Sequence, residues 1–187
     1  SSLRPVYVAG VGLHPFGPAS DIPYPALGLT AVRAALTDAG IAWTDCESTY
    51  FATARLGMAA GRAMLRYLGD NGGAPLVHVE NASASGSSAF RLACLEVAGG
   101  VSDVALAVGV DKPNPTRYAF ASDGVATPLG APLPPIGHFA LLTEQYRREH
   151  GCTIAEIAQV AVKNAANGAR NPFAHRRVAR SIDEILG

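Results

Sequence analysis

This sequence of 187 residues has no excess of positive or negative charge, few cysteines and no long hydrophobic run. Lys and Arg together number 15, as do Asp and Glu, so the formal net charge is zero and provides no basic excess for a nucleic-acid groove. The longest apolar runs, such as 104–110, are too short to cross a bilayer. We therefore expect neither a nucleic-acid partner nor a membrane span.

The chain has only three cysteines, Cys46, Cys94 and Cys152. An odd number suits no complete disulfide framework, and their spacing fits no metal site. The five histidines are scattered without ligand spacing as well, so no metal cofactor is expected. Reduced cysteines favour a cytoplasmic location.

Apolar residues, by contrast, are abundant. Hydrophobic residues make up 49% of the chain and charged residues 16%, which excludes a disordered chain and indicates a large core. The length fits one domain or part of a larger one.

Short apolar segments alternate with helical patterns along the first 110 or so residues. Strands are predicted at 6–12, 48–53, 76–79 and 104–110. Helices are predicted at 24–39, 58–68 and 86–98. This order favours a layered α/β fold with a mostly parallel sheet.

The predicted helix at 86–98 is unusual because apolar residues point in every direction. Only Arg91 and Glu96 are charged. A helix without a polar face is normally buried, so we expect this one to lie between layers rather than on the surface.

The second part of the chain begins with a proline-rich stretch, about 111–137, which is expected to form a long ordered loop. Helices are predicted at 138–150 and 153–169, the second beginning with a capping box formed by Thr153 and Glu156. A further capping box occurs at residues 181–184, shortly before the sequence stops. We therefore expect 1–187 to be an incomplete unit, either a fragment or one half of a split protein.

The segment 79–89 combines the end of a strand, a turn of small polar residues and the start of the apolar helix. Small side chains let a ligand approach the backbone, and a helix N-terminus offers free N–H groups to an anion or oxyanion. The segment is neither a phosphate-binding loop with Gly-Lys-Ser/Thr nor a Gly-x-Ser-x-Gly turn. The alternative interpretation is a serine-rich helix cap beside tight packing.

The run 79–89 resembles the nucleophile segment of the thiolase superfamily, in particular the sterol-carrier-protein or lipid-transfer type, which is similar to acetyl-CoA acetyltransferases. Matching runs at 8–12, 105–112 and 163–172 extend the resemblance over nearly the whole chain. The resemblance implies that Ser83 stands at the position of the cysteine that accepts the acyl group from coenzyme A. Ser83 is accordingly the candidate catalytic residue.

The resemblance also implies a fold of two similar α/β halves, layered α-β-α-β-α, of which this chain is most of the N-terminal half. In the family the second half supplies the general-base histidine, the second cysteine and much of the oxyanion hole. The substrate would be an acyl-CoA thioester, with no tightly bound cofactor. Two residues depart from the family pattern: Ser83 replaces the cysteine, and Ala165 stands where a histidine is usual.

Three functions remain open. The first is thiolase-like acyl transfer, with carbon–carbon bond formation or cleavage in lipid or steroid metabolism. That reaction should be slow or absent here, because a serine hydroxyl needs a strong local base whereas a thiol ionises near pH ~8.5. The second is retro-aldol cleavage of steroid-CoA side chains with an OB-fold partner protein. The third is a non-catalytic subunit that binds a lipid thioester or serves as a scaffold.

The strand just before the nucleophile segment also predicts an association. Residues 76–80 alternate apolar and polar side chains and would otherwise form an adhesive sheet edge. The resemblance implies that two copies pair these strands antiparallel about a two-fold axis. We expect a homodimer or a hetero-oligomer formed through this strand.

Overall fold

The chain forms two compact units in the computed structural model, which describes residues 3–17, 21–112 and 135–187. The first unit is Ser1–His14 with Pro18–Pro115, and the second is Pro15–Gly17 with Thr116–Gly187. The proline-rich loop predicted at about 111–137 lies for the most part outside the described residues.

Helices and strands alternate within the described residues of the first unit. They are α1 (Tyr24–Ala39), β1 (Ser48–Ala52), α2 (Ala60–Leu65), β2 (Leu76–Val79), α3 (Ser85–Ala98) and β3 (Ala105–Gly109). The three strands are all parallel and lie in the order β2-β1-β3, so that β1 is central. The predicted α/β class with a parallel sheet is confirmed.

Helices cover both faces of this sheet. Phe51 of β1 is fully buried on one face, where it packs with Val32 of α1 and Met64 of α2. The next residue, Ala52, lies in a second core that includes Ala89 of α3. Because successive strand residues point to opposite faces, β1 joins two cores and the unit has three layers, α-β-α.

The segment 6–12 is not a strand, so that prediction is wrong. It pairs with no strand in the described part of the chain and lies alongside helix α1 instead. The Val11 backbone N–H donates to the Asp38 carboxylate at 2.9 Å. Gly10 and Gly12 lie so close to the α1 backbone that a Cβ at either position would collide with it. An apolar run forms a strand only where a neighbouring strand pairs with it. The neighbour of this segment is helix α1.

Helix α3 is buried on one face rather than on all sides. Ser85, Ala89 and Ala93 recur every fourth residue and are at most 6% exposed. On the remaining surface Phe90 and Leu95 are 51% and 42% exposed. The expectation of a helix enclosed between layers is therefore met only toward the sheet, because no described element of the first unit covers the opposite side.

The described residues of the second unit form helices joined by irregular segments. It contains α4 (Pro135–His150), α5 (Ile154–Arg170) and α6 (Ile182–Leu186), which confirms the two predicted helices to within a few residues. The predicted capping box is present: the Thr153 hydroxyl accepts from the Glu156 N–H at 3.2 Å, and the Glu156 carboxylate accepts from the Thr153 N–H at 2.7 Å. None of the described helices combines the length and apolarity needed to cross a bilayer.

Glu96 ties the C-terminal part of α3 to the sheet. Its carboxylate accepts hydrogen bonds from the Ser102 hydroxyl and from the Tyr50 hydroxyl of β1. These two bonds, that of Ser102 first, hold the pKa of Glu96 below its usual value. The bond to Glu96 in turn raises the pKa of Tyr50 to about 12.

Replacing Glu96 by Gln should lower the free energy of unfolding by about 1–3 kcal/mol at pH 7, because hydrogen bonds to a charged acceptor are lost. A carboxyl group whose folded pKa is lowered stabilises the fold above its unfolded pKa, and this contribution disappears as the pH falls through the folded value. The difference between wild type and variant should therefore shrink below the ordinary glutamate pKa of 4.5. Urea unfolding at pH 7 and pH ~3.5 measures it.

The matched control is Glu149→Gln, which removes an exposed carboxylate from α4 and should change stability little at either pH. A Glu96→Gln difference that stays constant across this pH range would contradict the role given to the carboxylate.

Candidate functional site

Ser83 lies in the turn that joins β2 to α3. A single 3₁₀ turn, Ala82–Ala84, follows the end of β2 and leads directly into α3 at Ser85. Ser83 is exposed. The structure thus has Ser83 where the sequence predicted a strand-to-helix turn, whereas its catalytic role stays a prediction.

The backbone of this turn adopts an uncommon conformation immediately before Ser83. Ala82 has a φ of 45°, in the left-handed region that a residue with a Cβ rarely adopts. Such a conformation persists only where surrounding contacts hold it, and it is often found at functional sites.

Side chains on both sides of Ser83 close the turn. The Ser85 hydroxyl accepts from the Asn81 N–H at 2.8 Å and donates to the Ala82 carbonyl at 2.7 Å. The Glu80 carboxylate accepts from the Ala82 N–H at 2.7 Å. The Asn81 side-chain amide donates to the Ser88 hydroxyl at 2.9 Å. The turn is therefore fixed by its own polar side chains. The sequence pattern indicated only that these residues are small and polar.

The start of α3 can stabilise negative charge at this turn. No side chain caps the helix, and its first N–H, that of Ser85, donates to the Ala82 carbonyl. The positive end of the helix dipole favours an anion or a developing oxyanion at this turn. None of the hydrogen bonds described around the turn involves the Ser83 hydroxyl. A serine nucleophile needs a base, and that base must come from outside this turn.

Asp111 is a polar residue at the same sheet edge to which the sequence analysis gave no role. Its carboxylate accepts from the Thr53 hydroxyl at 2.7 Å and from the Ala54 N–H at 3.0 Å. The Thr53 N–H donates to the carbonyl of Val79, the last residue of β2. Asp111 thus ties the end of β1 to the segment after β3, next to the strand that leads to Ser83. The signal available in the sequence was an acidic residue placed directly after a buried strand.

The remaining candidates are not part of this turn. Ala165 is on α5 in the second unit, half-buried. Burial, and secondarily the neighbouring Asp45, raise the pKa of the Cys46 thiol, so this cysteine is not an activated nucleophile. Within residues 3–17, 21–112 and 135–187, no three His, Cys, Asp or Glu side chains are grouped as a metal would need.

Comparison with known families identifies the fold and the family together. The family model described as "Thiolase, N-terminal domain" matches residues 6–127, well over half of the chain. The chain belongs to the thiolase family, and the resemblance stated from the sequence is confirmed.

Individual relatives agree with this assignment. The chain is 33% identical to the benzoylsuccinyl-CoA thiolase subunit BbsB of Thauera aromatica, over 98% of this chain and 48% of that protein. It is 28% identical to sterol carrier protein 2 of Gallus gallus, over 98% of this chain and 36% of that protein. The solved structure of an Ltp2-ChsH2(DUF35) aldolase superposes with a TM-score of 0.73 at 23% identity, covering 94% of this chain and 46% of that one.

The chain spans half or less of the length of these relatives. The matching family model is that of the thiolase N-terminal domain. What the whole relatives act on does not follow from that part alone.

Proposed function

We propose that this chain is the N-terminal half of a thiolase-family protein that acts on acyl-CoA thioesters, with residue 83 at the acyl-accepting position. The observation that supports the proposal best is the position of Ser83 just before α3, directly after Ala82 in its left-handed conformation. The family match over 6–127 and the relative described as a CoA thiolase support the substrate class.

The chemistry that this geometry suits is acyl transfer. The oxygen of residue 83 attacks the thioester carbonyl and forms a C–O bond, its proton passes to a base, and the C–S bond breaks to release coenzyme A. The positive end of the α3 dipole would favour the negative charge that develops. With a hydroxyl in place of a thiol the step is slow, since the hydroxyl is hardly ionised near neutral pH.

A second half must supply the base. We propose that it covers the exposed side of α3, where Phe90 and Leu95 remain in contact with water, either as a continuation of this polypeptide or as a separate subunit. The greater length of the relatives supports this. Because each of these side chains is already about half buried, completing their burial contributes roughly 1 kcal/mol each.

Two other functions are each favoured by one observation. The first is retro-aldol cleavage of a steroid-CoA with an OB-fold partner; it is favoured by the superposition on an aldolase whose name joins Ltp2 with ChsH2(DUF35). The second is a non-catalytic subunit that binds a lipid thioester or serves as a scaffold. It is favoured by Ser83 and Ala165, which both depart from the family pattern.

We also propose a cytoplasmic location and a dimer. All three cysteines are free thiols, as a reducing compartment would keep them. Strand β2 lies at the edge of the described sheet, and its Val77 is 44% exposed. An unpaired edge of this kind is a surface on which a second copy can add its own strand.

Acylation of residue 83 tests the proposed function. The protein, with its second half present, is incubated with acetyl-CoA and with a longer acyl-CoA, and its intact mass is measured. Ser83→Cys should gain one acyl group that maps to residue 83, because a thiol ionises far more readily than a hydroxyl. The wild type should gain much less.

Ser87→Cys is the matched control, since Ser87 is an exposed serine in the first turn of α3. It should not be acylated above the wild-type level. Equal acylation of the two cysteine variants would show that residue 83 is not a special acceptor and would reject the proposal.

Dimerisation through β2 is tested by sedimentation velocity. Val77→Lys adds a charge to the proposed shared edge and should weaken self-association roughly tenfold or more. Val101→Lys, at a site that is 79% exposed and follows α3, should leave it unchanged. A wild-type protein that stays monomeric at micromolar concentration would contradict the dimer.

A further inference from the structure

The conformation of the turn at Ser83 depends on one buried side chain that the acyl-transfer chemistry does not use. Ser85 is 5% exposed. Its hydroxyl accepts from the backbone N–H of Asn81 and donates to the backbone carbonyl of Ala82. One hydroxyl therefore joins the N–H of residue 81 to the carbonyl of residue 82, which also accepts from the Ser85 backbone N–H.

Ala82 needs such support because it has a φ of 45°. The left-handed conformation places a Cβ too close to the following carbonyl oxygen, so alanine does not adopt it unaided. The Glu80 carboxylate also accepts from the Ala82 N–H, and the Ser88 hydroxyl accepts from the Asn81 side-chain amide. Both of these hydrogen bonds are exposed, so water competes for the same groups. Ser85 is the buried side chain that forms hydrogen bonds to residues 81 and 82.

We propose that Ser85 is a positioning residue: by fixing Ala82 in its left-handed conformation, it sets the direction in which residue 83 leaves the turn relative to the N-terminus of α3. The importance of residue 83 rests on the proposed function, whereas the geometric claim does not involve coenzyme A. Without the Ser85 hydroxyl, the Asn81 N–H turns toward water, Ala82 relaxes to a negative φ, and residue 83 moves away from the helix N-terminus.

The pKa of a thiol introduced at position 83 reports this geometry. A thiol beside a helix N-terminus has a pKa below the ordinary value of about 8.5. In Ser83→Cys the pH dependence of alkylation by iodoacetamide gives this pKa. The tryptic peptide 67–91 contains no cysteine of the natural sequence, so Cys46, Cys94 and Cys152 do not interfere.

Adding Ser85→Ala to this variant should raise the pKa of the introduced thiol by about one unit, toward the value of a free thiol. Adding Ser87→Ala is the matched control. The Ser87 hydroxyl lies in the same first turn of α3 but donates to the Ala84 carbonyl, and its loss should leave the pKa unchanged. An unchanged pKa in the Ser85→Ala variant would overturn the proposal.

Ser85→Thr and Ser85→Val keep the test valid if the alanine variant fails to fold, since Thr and Val have the same shape and only Thr has a hydroxyl. The threonine variant should keep the low pKa and the valine variant should lose it. Equal pKa values in these two variants would overturn the proposal. Hydrogen exchange on the unsubstituted chain adds a check, because the Asn81 amide should be protected and an unprotected amide would contradict its bond to Ser85.

The outcome separates this inference from the proposed function. An introduced thiol that is acylated by acetyl-CoA, with a pKa that does not respond to Ser85→Ala, rejects only the positioning role. A pKa that responds to Ser85→Ala, in a protein that acyl-CoA does not modify, rejects only the proposed function.

Discussion

The burial of β1 on both faces is the constraint on which the first unit depends. Its successive residues Phe51 and Ala52 are 0% and 2% exposed, one packed against α1 and α2 and the other against α3. A strand covered on both sides belongs in the middle of a parallel sheet with helices on each face, and β2 and β3 pair with β1 on its two sides. The pairing of β2 with β1 fixes the position of the turn that follows β2.

The candidate site follows from this topology. Parallel strands end at the same sheet edge, so the turn with Ser83 after β2, the segment from Thr53 after β1, and Asp111 after β3 all come together there. Ligands of open α/β sheets bind at this carboxyl edge. Hydrogen bonds join the end of β2 to the segment after β1, and that segment to Asp111 after β3. The turn at Ser83 is held by its own side chains, and rigidity of this kind is what an acyl-accepting residue needs.

Much of this arrangement could be predicted from the sequence, because it depends on local patterns. Strand β2 and helix α1 begin and end where apolar spacing and Gly40 indicated. Features that depend on distant partners could not be predicted. The segment 6–12 has the composition of a strand, yet it lies beside α1. The role of Ser85 is local, but it depends on the φ of Ala82, which no residue pattern marks. The open face of α3 depends on which layers are present, since composition alone suggested burial on all sides.

The central claim is that residue 83, at the start of α3, accepts an acyl group. The most direct measurement is a crystal structure of Ser83→Cys, with the second half present, after reaction with an acyl-CoA. The account predicts continuous density from the sulfur of residue 83 to an acyl carbonyl whose oxygen faces the backbone N–H groups of α3. An acyl-CoA bound elsewhere, with residue 83 unmodified and its turn covered by protein, would contradict it.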